Sequence, residues 1–253
     1  MDRSLALLEA FARESGRSVH VQVGSTNVEW VGGVDDDVTR PAASLLKLPL
    51  AMALEPLLPD LASVAVGELL AFQDISSVLH ALDPERSLTP AEALRLMLSA
   101  SDNPCAQWGL DIVGPDAVRA TTYGIGATRT TIEDDLTGAT TARDAVVLLR
   151  TALNPERFPV SARALRHSTR NSRIPLGATD QDVRIAHKTG TLTGIASDVA
   201  HLECVTGDMW LAFLTEDQHD TLVTGYEMGI CARHLLEHFG LQVTRTISAQ
   251  AGG

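Results

Sequence analysis

Lysine is almost missing from this sequence of 253 residues: Lys47 and Lys188 are the only two, and every other basic residue is arginine. An ammonium group gives up its proton at moderate pH when buried or crowded by charge, whereas a guanidinium does not. A chain that covers its surface with arginine has kept its two lysines for that difference, which makes both candidate functional residues. Basic residues as a whole are outnumbered, 20 against 32 acidic ones, for a formal net charge of -12. That balance repels a phosphate backbone, so nucleic acid is not expected as a partner. Long apolar runs are missing too. The densest, Leu48 to Leu54, falls far short of the roughly 18 residues that cross a bilayer, and no membrane partner is expected. Cysteine is scarce and odd in number: Cys105, Cys204 and Cys231 form no C-x-x-C pair and no metal-ligand spacing. No metal and no cofactor are expected. The start, Met1 to Leu5, lacks a basic leader followed by an apolar stretch. A cytoplasmic location is the expectation, with periplasm or secretion the alternative for a trimmed mature form.

What is present reads as a folded chain, with 45% hydrophobic and 21% charged residues. Leu5, Leu8 and Ala12 recur on a helical period, predicting an opening helix. Val19 to Val23 alternates, turns at Gly24 to Asn27, and continues through Val28 to Val31 as a hairpin. From Ser44 to about Gln107 the pattern is helical, and Thr89-Pro90-Ala91-Glu92 marks a helix start. Another helix is predicted from Thr141 to Leu153. Strands follow at Val183 to His187, Thr191 to Glu203 and Met209 to Thr215, then a helix from Thr221 to Phe239. Strands at both ends with helices between predict an α/β (α+β) fold: an antiparallel sheet flanked by helices, plus an all-helical lobe. The expected division is residues 1–38 with 176–253 as the α/β lobe and 39–175 as the helical insertion.

Three short patterns carry chemistry. Ser44-Leu45-Leu46-Lys47 opens a helix after Pro41, with hydroxyl and amine three residues apart on one face. At a helix N-terminus, free N–H groups favour negative charge on a reacting oxygen, and a desolvated neutral Lys47 could act as base toward Ser44. Ser101-Asp102-Asn103 ends the helix that begins near Pro90, and Lys188-Thr189-Gly190 leads into Thr191. Both lysines fall in this set.

Together the three patterns resemble the S-x-x-K, S-D-N and K-T-G set of class A β-lactamases and penicillin-binding proteins. Chance would produce all three in this order about once in 10⁵ sequences or less. The resemblance extends over nearly the whole chain and implies a β-lactamase/transpeptidase-like fold and a serine hydrolase working through an acyl-enzyme. It implies Ser44 as nucleophile, Lys47 as its proton partner, and Ser101 as proton shuttle to the leaving group. Lys188 would hold the substrate carboxylate and tune Ser101, and Asn103 would bond the substrate's amide carbonyl. Thr189, Gly190 and Thr191 would line the substrate, with the Ser44 and Thr191 N–H groups as oxyanion hole.

The family's β-lactamases carry a long Ω-shaped loop whose Glu and Asn position the deacylating water, and most of it is missing here. Glu133 falls on the family's Glu only across a one-residue gap, and Thr137 stands where the Asn should be. Glu133 is the candidate deacylating residue; a solvated acidic turn is the alternative reading. Slow or altered release of a β-lactam acyl group is therefore expected. A biosynthetic esterase, amidase, peptidase or acyltransferase of the same fold is the alternative, and a non-catalytic ligand-binding protein the third reading. The expected partner is a small-molecule β-lactam or related amide or ester, bound by a monomer.

Other features read as structure. His234-Leu235-Leu236-Glu237-His238 matches H-x-x-E-H, but no acidic third ligand follows it. Gly124-Ile125-Gly126 is read as a turn. Trp108 is expected in the core rather than as a substrate platform. Arg173 is expected as a surface or structural arginine ahead of a carboxylate-binding one.

Overall fold

The computed structural model describes residues 3–72, 75–76, 78–178 and 183–241. The outer ends of the expected division, residues 1–2 and 242–253, lie outside the described residues. The chain opens with helix α1 (Arg3–Ala12) and the hairpin β1 (Arg17–Ser25) and β2 (Glu29–Val34). Val23 pairs with Trp30 and Gly24 with Glu29, and Ser25 Oγ closes the turn by accepting from Val28 N at 3.0 Å.

A helical stretch follows. β3 (Arg40–Pro41) leads into a 3₁₀ turn (Ala43–Leu46) that continues as α2 (Lys47–Leu54). Then come β4 (Val64–Ala65), α3 (Val66–Phe72), β5 (Ser87–Leu88), α4 (Pro90–Ser99), α5 (Asn103–Gly124), β6 (Ala139–Thr140), α6 (Ala142–Ala152) and α7 (Pro159–Leu165). The helical pattern of the sequence gave no sign of the two-residue pairings β3 with β6 and β4 with β5; stretches that short carry no periodicity. The chain returns through β7 (Arg184–Leu192), β8 (Ile195–Cys204) and β9 (Gly207–Thr215) to α8 (Thr221–His238).

The five-stranded antiparallel sheet runs β2-β1-β9-β8-β7, so the final strands complete a sheet that the first hairpin begins. Alternation along the strands serves two cores. Val19, Val21, Leu211 and Phe213 face α1 and α8, while Val199, Ala212 and Leu214 face the helical side. One strand boundary differs from expectation. Lys188, Thr189 and Gly190 lie inside β7, paired with Val199, Asp198 and Ser197. The break comes after Leu192, where Gly194 takes a positive φ of 71° that glycine adopts without steric cost.

Helix α2 is apolar all round, and seven of its eight residues are buried, as a helix without a polar face must be. It packs between α5 and α6 with Lys47 in its first turn. Trp108 is buried in the same cluster. Among the described residues, no helix is long and apolar enough to cross a membrane.

Helix α4 begins with a reciprocal cap. Thr89 Oγ1 accepts from Glu92 N, and the Glu92 carboxylate accepts from Thr89 N at 2.7 Å. Thr89→Ala should lower stability by about 1 kcal/mol, read as a lower urea midpoint at unchanged slope.

Candidate active site

The S-D-N segment is a helix-to-helix reversal. Ser101 closes α4 in the left-handed conformation, φ 59°, and Asp102 N–H bonds back to Leu96 O at 3.2 Å. Asp102 then caps α5 by accepting from Cys105 N at 3.0 Å, and its other carboxylate oxygen accepts from Ser76 Oγ. A short polar side chain suits both jobs. The reversal turns Ser101 and Asn103 toward the first turn of α2.

Lys47 is 3% exposed and Lys188 is 1% exposed. Lys47 Nζ donates to Ser101 O at 2.6 Å, to Asn103 Oδ1 at 2.6 Å and to Ser101 Oγ at 3.4 Å. Lys188 Nζ donates to the same Ser101 Oγ at 2.9 Å and to Thr189 O at 2.9 Å. One hydroxyl therefore sits between two buried ammonium groups. Spacing on the helix pairs Lys47 with Ser44; the structure directs it to Ser101 and Asn103 instead, because the reversal offers three acceptors. Asn103, with Oδ1 committed to Lys47, keeps its amide N–H groups for another partner.

Burial drives the Lys47 ammonium from its usual range down to about 8, with the Asp102 carboxylate opposing and Arg170 assisting. Burial also pushes Lys188 well below its ordinary value, and the charge of Lys47 adds to that. Desolvation, the cause named for a neutral Lys47, dominates for both.

Gly190 explains how β7 reaches the Ser44 turn. A Cβ there would lie 2.8 Å from Ala42 O and 3.4 Å from Ala43 Cβ. Only glycine permits this approach, which brings β7 against the turn that carries Ser44. Arg173, buried, holds that strand end: its guanidinium donates to Gly190 O at 2.8 Å, to Ser197 O and to Thr191 Oγ1 at 2.6 Å. It is structural, as expected, but it is not on the surface. Behind Lys188, buried His187 bonds Asp198 at 3.0 Å through Nδ1 and Asn171 at 3.0 Å through Nε2. In the sequence the signal of this pair is two ionisable residues inside apolar strands, with nothing to show that they meet.

Ser44, Lys47 and Asn103 open onto a cavity of about 350 Å³. Asp135 to Gly138, in the connection between α5 and α6, also line it. Asp144 anchors that connection by accepting from Arg129 N at 2.8 Å and Thr130 Oγ1 at 3.0 Å. Gly138 O accepts from Ala42 N at 2.9 Å, which ties it to the Ser44 turn. The structure does not bring Glu133 to this wall: its side chain is exposed, and Asp135, Leu136, Thr137 and Gly138 line the cavity. The tight turn is the reason, for Glu133 O accepts from Leu136 N at 3.1 Å and the turn presents its following residues. Asp135, which accepts from Thr137 N at 3.0 Å and Oγ1 at 2.6 Å, is held below the usual carboxylate range by these bonds.

A sequence model described as the beta-lactamase enzyme family matches residues 5–239. Among curated proteins none matches the chain. Among solved structures, a β-lactamase from Sphaerobacter thermophilus superposes with a TM-score of 0.81 at 22% identity, over 94% of this chain and 97% of that one. PBP-A superposes with a TM-score of 0.78 at 18% identity, over 94% and 95%. An ancestral class A β-lactamase gives 0.78 at 23%, over 93% and 99%.

Gly190→Ala should slow labelling of Ser44 by a fluorophosphonate about 10²-fold, the scale of a 1 Å misplacement, while the melting curve stays cooperative. Labelling at wild-type speed would dissociate the β7 approach from reactivity. The pH dependence follows from Lys47. Its lowered value makes the neutral amine a minority below about pH 8 and the majority above it. The labelling rate should rise with pH to a midpoint near 8, and Lys47→Arg should remove that midpoint. The sign for stability is the same: the folded state carries an unfavourable cation at neutral pH, relieved as pH climbs from about 8 toward the ordinary lysine value.

Proposed function

The chain belongs to the beta-lactamase enzyme family, and from that premise we propose that it is a serine hydrolase acting on a small-molecule amide or ester through an acyl-Ser44 intermediate. The observation that carries this reading is Ser101 Oγ, held at 2.9 Å from one buried lysine and 3.4 Å from the other. Such a hydroxyl relays protons between Lys47 and a leaving group beside Lys188.

In this reading Ser44 Oγ attacks the substrate carbonyl and its proton passes to neutral Lys47. The oxyanion rests on the N–H groups of Ser44 and Thr191. The tetrahedral centre collapses as Ser101 gives its proton to the departing nitrogen or oxygen, and Lys47 restores that proton. The acyl group remains on Ser44 as an ester. Asn103 bonds the substrate's amide carbonyl, and Lys188 with Thr189 and Gly190 takes the end of the substrate that carries a carboxylate.

Fast hydrolysis of that ester needs a base holding water on its open face. Glu133 is exposed outside the cavity, and Asp135 is the carboxylate at the wall, bound to Thr137. This supports acylation by a β-lactam followed by slow release. It favours, as the second reading, a biosynthetic esterase or acyltransferase whose acceptor is another nucleophile.

Intact-mass spectrometry with benzylpenicillin tests the proposal. A long-lived adduct of the drug's full mass is expected on the wild type, with none on Ser44→Ala and an unchanged lifetime on Glu133→Gln. Turnover at about 10²–10³ s⁻¹, the upper range of ordinary enzymes, would overturn slow release. An adduct persisting on Ser44→Ala would overturn the nucleophile.

A further inference from the structure

The cavity beside Ser44 has a mainly apolar wall. Helix α5 presents Asn103, Ala106, Gln107 and Leu110 to it, residues spaced three and four apart and so on one helical face. Pro41, Ala43, Leu136 and Leu192 add further carbon to the lining. Part of the polar lining is already engaged: Gln107 Nε2 donates to Asp111 at 2.9 Å, Asp135 Oδ1 accepts from Thr137, and Asn103 Oδ1 accepts from Lys47. Besides the Ser44 hydroxyl, the Asn103 amide N–H groups and the outer atoms of Gln107 and Asp135, the rest of the wall is mostly carbon.

Leu136 adds an independent observation. It sits at φ 62°, the left-handed region in which a side chain with a Cβ costs about 1 kcal/mol and which Asn or Gly takes more easily. Its side chain nonetheless packs on the core cluster and walls the cavity. A strained residue at a reactive serine is motive for a functional reading when its side chain has a definite place to act. Here that place is the surface an acyl group on Ser44 would meet.

We propose that this cavity is an acyl pocket that selects an extended, apolar acyl group of medium length, with Leu136 as its specificity-determining residue. The inference rests on the acyl-Ser44 reading and names its substrate class: esters or amides of straight-chain carboxylic acids. Asn103 to Leu110 spans about 10 Å along α5, and an extended alkyl chain advances about 1.3 Å per carbon. The pocket therefore takes about eight carbons. The alcohol or amine leaves with the proton from Ser101, and the acyl chain stays on Ser44 against the leucines.

The test is a series of p-nitrophenyl esters from acetate to decanoate with the full chain. Each added methylene should raise kcat/KM about fourfold, the factor expected from burying one more CH₂, until the pocket is filled near eight carbons. Leu136→Asn, which suits the left-handed backbone, and Leu192→Asn, at a residue 55% exposed, should each flatten that slope. A slope that is flat or falling from acetate onward in the wild type, while a fluorophosphonate still labels Ser44, overturns the pocket and leaves the acyl-enzyme reading intact. An unchanged slope in both folded variants overturns the assignment of the wall. No labelling and no ester turnover would overturn both.

Discussion

Two ammonium groups buried on either side of a single serine hydroxyl set the terms for the rest of this molecule. Burying a charge without partners costs several kcal/mol. Here the cost falls on protonation, since burial lowers the affinity of both lysines for a proton, and on geometry, since Ser101 O and Oγ, Asn103 Oδ1 and Thr189 O are turned toward them. The apolar helix α2 encloses Lys47. The α4–α5 reversal supplies Ser101 and Asn103 to it, and β7 carries Lys188 to the same hydroxyl. Each is a piece of regular structure whose end or edge meets the others at one point.

That convergence needs the elements held closely. Gly190 lets β7 approach the Ser44 turn, and Arg173 brackets the strand from behind by filling the Gly190 and Ser197 carbonyls. The short α5–α6 connection is fastened at Asp144 and again by Gly138 to Ala42. The connection has little freedom to bring in a distant carboxylate. Its tight turn leaves Glu133 in solvent and sets Leu136 against the cavity. The two-lysine cluster and the wall of the neighbouring cavity are thus built by different principles: buried charge in one, apolar contact in the other.

Much of this was legible beforehand. Alternating Val19, Val21 and Val23 announced a strand, and Thr89-Pro90-Ala91-Glu92 a capped helix, because local preference and tertiary burial agree there. The S-x-x-K, S-D-N and K-T-G patterns were legible because short reversals and close approaches demand particular small or polar residues at fixed spacing. Where local and tertiary demands part, the reading slipped. Lys188 to Gly190 looked like the approach to a strand but lies within one, since glycine weakens a strand signal yet is required by the contact with Ala42.

The candidate residues could be picked out from the chain alone: with two lysines in all of it, scarcity and motif singled out both. That strands from both ends would build one sheet was equally legible, since the hydrophobic period of each segment is a local property. Whom Lys47 touches, the burial of Arg173 and the facing of Leu136 rather than Glu133 into the cavity follow from packing between distant segments. Those outcomes depend on which backbone groups compete for a donor and on the direction in which a tight turn projects successive side chains. Neither is encoded in spacing along one segment; both arise where segments distant in the chain meet.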